Sequence, residues 1–189
     1  MKKLKTIEMQ RLSVEQFKAA GKLKVTVVLD NVRSAYNVGA VFRTCDAFRI
    51  QGVLLCGITS TPPDVEIHKT ALGAEESVDW KHYDRSVEAV NDLKRHGYTV
   101  YAVEQAHGST PLQDLSLAKE LTDEARFAIV LGNEVHGVSQ EVVDLCDECL
   151  EIPQFGTKHS LNVSVTAGIV LWDFARQLNP LLCPDTGAY

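Results

Sequence analysis

Five short apolar runs punctuate this chain, and the segments between them repeat their apolar residues at helical spacing. The runs are residues 25–29, 52–56, 98–103, 127–131 and 149–152. Each has the length and β-branched or aliphatic content of a buried strand. Residues 37–48 carry Val38, Val41, Phe42, Cys45 and Phe48 on one stripe, the signature of a helix with one buried face. Further helices are expected at 86–96, 139–145 and 161–178, the last stopped by Asn179-Pro180. A shorter one, 64–72, follows the break at Thr61-Pro62-Pro63. The leading helix starts at Ser13-Val14-Glu15-Gln16, a capping box, and runs to Gly21. Strands that alternate with helices dictate an α/β fold with a largely parallel sheet flanked by helices.

At 189 residues the chain suits a single domain with a sizeable core. No apolar run is long enough to span a membrane, and the N-terminus lacks the apolar stretch and cleavage site of a signal peptide. A cytoplasmic protein is therefore expected. The five cysteines are scattered and give no disulfide framework. Cys146 and Cys149 have C-x-x-C spacing, but no second Cys or His pair completes a zinc site, so no metal is expected.

The charge is unevenly spread. Residues 1–24 hold seven basic and two acidic side chains, whereas the remainder holds 12 basic and 23 acidic ones. An acidic body opposes broad coating of nucleic acid, yet a basic arm on it can hold a phosphate backbone. This divides the chain into a basic helical extension (1–24), a main domain (25–179) and a tail (180–189).

Three stretches set glycines and polar side chains where an ordinary core needs neither. They are Asn37-Val38-Gly39-Ala40-Val41-Phe42-Arg43, Gly132-Asn133-Glu134-Val135-His136-Gly137 and Ser160-Leu161-Asn162-Val163-Ser164. Each follows a strand or opens a helix, where loops of an open α/β sheet gather around a ligand. Val138-Ser139 after the second glycine excludes a Walker loop, which needs Lys-Ser or Lys-Thr there. The Rossmann fingerprint lacks its third glycine, and no Gly-x-Ser-x-Gly elbow or His-Glu-x-x-His helix occurs. Taken singly, each polar residue has a plain reading: Arg43 as an ion pair with Asp46, Glu134 as a surface acid, Ser160 as an N-cap and Asn162 as a first-turn residue.

Together the stretches resemble the three motifs of the SpoU–TrmH (SPOUT) family of RNA 2′-O-methyltransferases. The first matches as Asn31 with Asn37-x-Gly39-x-x-x-Arg43, and the second as Leu131-Gly132-Asn133-Glu134-x-x-Gly137. The third matches as Ile152-Pro153 with Ser160-Leu161-Asn162-Val163-Ser164-Val165. The resemblance implies a C-terminal trefoil knot, a homodimer with sites near the interface, and S-adenosylmethionine held by main chain around Val103, Gly132, Ile152 and Leu161. It further implies that Arg43 activates the ribose 2′-hydroxyl and Asn37 orients Arg43 or the ribose. Glu134 would order the glycine turn or pair across the dimer, and Ser160 and Asn162 would hold the third loop. With only some 24 residues before the first strand, a separate RNA-binding module is expected to be absent. Gln154-Phe155-Gly156 and residues 171–177 look most like members acting on tRNA, some of which methylate a D-loop guanosine. Ribosomal RNA and a non-catalytic knotted RNA-binding homologue are the alternatives, and a metabolite-binding α/β protein is a third.

Overall fold

The computed structural model describes residues 2–9, 11–119, 122 and 124–178, so the expected stop at Asn179-Pro180 and the tail lie outside the described residues. Seven parallel strands form one sheet in the order β3-β2-β1-β6-β4-β7-β5. These are β1 (Leu23–Asp30), β2 (Ile50–Cys56), β3 (Asp79–Tyr83), β4 (Thr99–Val103), β5 (Thr110–Pro111), β6 (Phe127–Leu131) and β7 (Glu148–Glu151). The helices are α1 (Val14–Ala19), α2 (Ala35–Ala47), α3 (Val65–Ala71), α4 (Ala74–Ser77), α5 (Ser86–Arg95), α6 (Gln140–Val143) and α7 (Val163–Leu178).

The central strands bury both faces, so their alternate residues feed two cores. Val25, Val27 and Leu29 of β1 join Phe127, Ile129 and Leu131 of β6 in one cluster with α2, α3 and α7. Val28, Ala128 and Val130 face a second cluster built with Ala89, Val90 and Leu93 of α5 and Val142 of α6. In the larger core, Phe174 meets Tyr101 and Phe127 edge to face, its ring centroid 5.6 and 6.0 Å from theirs.

The expected strands and helices all occur, with shifted ends. α2 begins two residues before Asn37 because Ser34 is its N-cap, its hydroxyl accepting the Asn37 N–H at 3.3 Å. α6 stops short of Leu145, and α7 starts at Val163 rather than Leu161. The capping box at Ser13 is present in both arms. α1 is docked rather than free, since Phe17 is buried in the larger core. Two edge strands escape a pattern reading. All but the last residue of β3 are exposed, and β3 is held by its ladder to β2 and by Tyr83, which packs on the smaller core and donates to Asp92 of α5 at 2.7 Å; β5 is two residues long.

Gly39 lies inside α2 and is buried, so it serves packing rather than a turn. A Cβ there would overlap Thr70 Oγ1 and the Ile67 carbonyl oxygen, both on α3. The helices therefore approach closely only because position 39 lacks a side chain. Gly39→Ala is expected to lower stability by about 1–3 kcal/mol, the cost of overpacking a well-filled contact. Denaturant unfolding with no shift in midpoint would contradict this.

Candidate active site

The loops that leave β1, β4, β6 and β7 at their carboxyl ends converge, and between them and the start of α7 lies a groove of about 480 Å³. Val103, Gly132, Ile152 and Leu161 all line it, as do Glu134, Ser160 and Asn162. The position is the one open α/β sheets offer to ligands, and the volume falls within the range of small-molecule sites.

The turn after β6 closes on itself. Asn133 and Gly137 exchange two main-chain hydrogen bonds, each 2.9 Å, and Gly137 has φ 67°, a backbone that favours glycine. A Cβ on Gly132 would overlap the Gly137 carbonyl carbon and the Val138 nitrogen, so the two ends touch only through a bare backbone. Asn133 locks the tip: its Oδ1 accepts from the Val135 and His136 N–H groups at 2.8 and 3.2 Å, while its Nδ2 donates to the Asn31 carbonyl at 2.8 Å.

Two further carboxylates buttress this turn. Glu104, directly after β4, accepts from the Val138 N–H at 2.9 Å and from the Gln105 N–H at 2.8 Å, and its Oε2 occupies the space a Cβ on Gly137 would need. Asp30, at the end of β1 and only 2% exposed, accepts from Asn31 Nδ2 (2.8 Å), the Ser139 N–H (3.0 Å), Ser139 Oγ (3.1 Å) and Ser86 Oγ. A buried carboxylate without such donors would be strongly disfavoured. Neither acid stands out in the sequence, although each sits at the carboxyl end of a parallel strand, Asp30 as the last residue of β1 and Glu104 just after β4, on the ligand side of the sheet.

Glu134 reaches from the turn to the N-terminus of α2. Its Oε2 accepts from the Arg33 N–H at 3.0 Å, and its Oε1 from the Ser34 N–H at 3.1 Å and from Asn37 Nδ2 at 3.2 Å. Main-chain N–H groups at a helix start have no partner within the helix, and the helix dipole favours an anion there. Partial burial pushes the Glu134 pKa up, but the Arg33 and Ser34 N–H groups and the Asn37 amide outweigh it and hold the carboxyl below its ordinary value. Glu134 is thus no idle surface acid. Asn37 Oδ1 in turn accepts from Asn162 Nδ2 at 3.2 Å, so side chains from all three motif stretches form one hydrogen-bonded unit.

Asn162, not Ser160, caps α7. Its Oδ1 accepts from the Ser164 N–H at 2.9 Å and Ser164 Oγ at 2.6 Å, and its carbonyl accepts the Thr166 N–H. Ser160 lies two residues upstream on the groove wall. Arg43 does not line this groove. It is exposed on the outer face of α2 and borders a second groove with Asp46. Among the described residues it makes no ion pair, and Asp46 instead accepts from Ser77 Oγ at 2.6 Å.

Among the described residues no cluster of His, Cys, Asp and Glu could hold a metal ion, and no helix is long and apolar enough to cross a membrane. Burial pushes the Cys146 thiol up to about 12 and raises Cys149, so neither is primed as a nucleophile.

Because the folded pKa of Glu134 is lowered, its stabilising contribution is fully present above the ordinary carboxylate range and is lost as pH falls through the lowered value. Glu134→Gln is expected to cost about 1 kcal/mol near neutral pH, the scale of a lost helix cap, with the gap to the parent closing in acid. Urea unfolding that finds the two equally stable near neutral pH would contradict the assignment.

The sequence profile of the SpoU rRNA Methylase family matches residues 24–172. The tRNA (guanosine(18)-2′-O)-methyltransferase of Thermus thermophilus is 31% identical over 170 residues, which cover 90% of this chain and 84% of that one. A protein of Staphylococcus haemolyticus assigned to the TrmH family of tRNA/rRNA methyltransferases is 32% identical over 155 residues, 82% of this chain but 59% of its own length. The chain thus spans less than two thirds of that relative. Among solved structures, the TrmH/SpoU tRNA modifying enzyme of A. aeolicus superposes with a TM-score of 0.77 at 26% identity, covering 89% of this chain and 83% of that one. The AdoMet-bound rRNA methyltransferase of Sinorhizobium meliloti gives a TM-score of 0.74, also at 26% identity, covering 89% and 62%. The chain belongs to the SpoU rRNA Methylase family.

Proposed function

We propose that this protein is an RNA methyltransferase that uses S-adenosylmethionine to methylate a ribose 2′-hydroxyl, with tRNA as its substrate. The observation that carries the reading is the hydrogen-bonded unit of Glu134, Asn37 and Asn162 at the edge of a groove fit for a small molecule, in a chain of this family. S-adenosylmethionine, when bound, supplies an electrophilic sulfonium methyl group. Main chain around Val103, Gly132, Ile152 and Leu161 would hold it. Bare backbone at the glycine turn suits this, because main-chain amides can bond the polar edges of an adenine while apolar side chains wall its faces.

Glu134 has both oxygens engaged by three donors and stays ionised. It acts as a positioning residue for the α2 start rather than as a proton carrier. Asn37, held from both sides, fixes the first turn of the helix that carries Arg43. A guanidinium remains protonated far above neutral pH, so Arg43 serves by stabilising the developing alkoxide and the adjacent phosphate. Ser160 and Asn162 hold the third loop beside the bound molecule.

Arg43 borders a different groove in its own protomer, so the reading needs a second copy. Val165, Ile169 and Trp172 are exposed along one stripe of α7, and Leu161 is exposed just ahead of its cap; the helix packs beside α2. Such a stripe suits a homodimer interface, and a partner seated on it would bring Arg43 of one protomer to the groove of the other. We also infer a trefoil knot. β7 inserts between β4 and β5, and the chain then runs through residues 152–162 to α7, a course consistent with threading. Ribosomal RNA is the second reading, favoured by the similarity to the S. meliloti enzyme.

Calorimetric titration should show S-adenosylmethionine binding; none at millimolar concentration would overturn the reading. Arg43→Lys should lower kcat on tRNA about 100-fold, the scale of losing a preorganised donor, with cofactor affinity unchanged. Full turnover by that variant would remove Arg43 from the mechanism, and a parent that binds cofactor but methylates no RNA would point to a non-catalytic homologue. The basic residues before α1 are proposed to grip RNA phosphates. Since Phe17 is in the core, replacing Lys2, Lys3, Lys5 and Arg11 with Ala is a cleaner test than deletion through residue 24. RNA affinity should fall and lose part of its salt dependence, with cofactor binding intact; unchanged RNA affinity would refute the arm's role.

A further inference from the structure

Leu72 is the least explained residue of this fold. It ends α3 with φ 55° and ψ 38°, a left-handed backbone that bulky L residues rarely adopt, and Gly73 follows at φ 93°. Packing does not compensate, because Leu72 is 64% exposed. The left-handed turn ends α3, the Leu72 N–H donating to the His68 carbonyl at 3.0 Å. That cap has no use for a leucyl side chain, which is left to meet something outside the fold.

Leu72 borders a groove of about 320 Å³ between α1, α2 and the α3–α4 elbow, the groove on which Arg43 also lies. Its walls divide by chemistry. Leu72 and the half-exposed Leu12 offer apolar surface. Glu76 lines it with no hydrogen bond or ion pair on its carboxylate among the described residues. Asp46 lines it with one oxygen engaged by Ser77. Arg43 supplies a guanidinium fork at the same place.

We propose that this groove seats the nucleobase of the nucleotide whose ribose Arg43 addresses, which rests on the RNA methyltransferase reading above. An unstacked base needs an apolar surface against its faces and acceptors or donors at its edge. Leu72 and Leu12 provide the first, and the two acidic side chains accept from ring N–H and amino groups. Arg43 is left for the ribose and phosphate. Two adjacent N–H donors, as guanine presents, suit a carboxylate. Uracil flanks its single N–H with two carbonyl oxygens, which a carboxylate repels. The groove therefore selects for guanine and against uracil.

Leu72→Ala and Glu76→Gln test this in the full chain, with bulk tRNA and labelled S-adenosylmethionine. Each should raise KM for tRNA about tenfold, the scale of losing one hydrogen bond to a charged group or one base contact. kcat, cofactor affinity and melting temperature should be unchanged, and Glu76→Gln should also narrow the preference for GMP over UMP in binding titrations. A tRNA KM that stays with the parent's in both variants overturns the groove assignment while leaving the methyltransferase reading intact. Loss of dimer on sedimentation of Leu72→Ala overturns it too, by making the groove a subunit contact. A parent that binds no cofactor and methylates no RNA fails the reading itself, and the groove assignment with it.

Discussion

The carboxylate of Glu134, laid across the open end of α2, is the contact on which the site depends. A helix start exposes main-chain donors that nothing within the helix can satisfy, and a tight turn must be anchored to keep its shape. Glu134 answers both needs at once, since it belongs to the turn and accepts from Arg33, Ser34 and Asn37 at the helix start. Asn37 passes the link to Asn162, the cap of α7. Strand ends that are separate in sequence thereby become one rigid wall of the groove.

The same device recurs. Asp30 and Glu104 also spend their oxygens on main-chain N–H groups of the glycine turn or the residues after it. Three acids thus support one backbone loop, in a chain whose net charge is −6 at pH 7. Asp30 is internal, 2% exposed, and the oxygens of Glu104 and Glu134 are already engaged by main-chain donors. An acidic composition therefore weighs less against an RNA substrate than a simple charge count implies, because repulsion depends on where charges lie and how far they are screened.

The sequence made the parallel α/β architecture legible because buried central strands have to be apolar and helices between them have to carry a stripe. It could not reveal β3, whose residues are nearly all exposed and which is a strand because of its ladder to β2. It located the motif residues but not their bonds. Glu134 meets partners 97 to 101 residues away, and Glu104 meets Val138 across 34; no local pattern encodes such pairings. Singly, a Glu in a loop reads as a surface acid and an Asn at a helix start as a polar bystander. Gly39 was legible as unusual, yet its reason, the close approach of α3, exists only in the folded chain. The position of Arg43 on a second groove was likewise hidden, since six residues of helix fix its rise and direction but not what packs around it.

Whether Glu134, Asn37 and Asn162 act as one unit is tested most directly by a double-mutant cycle. Glu134→Gln, Asn162→Ala and the double variant would be titrated with S-adenosylmethionine. Residues joined through a shared partner are non-additive by about 0.5–3 kcal/mol, so the double variant should bind much as the weaker single one does. Strict additivity of the two losses would contradict the account, because it would mean that the turn and the third loop contribute to the groove independently.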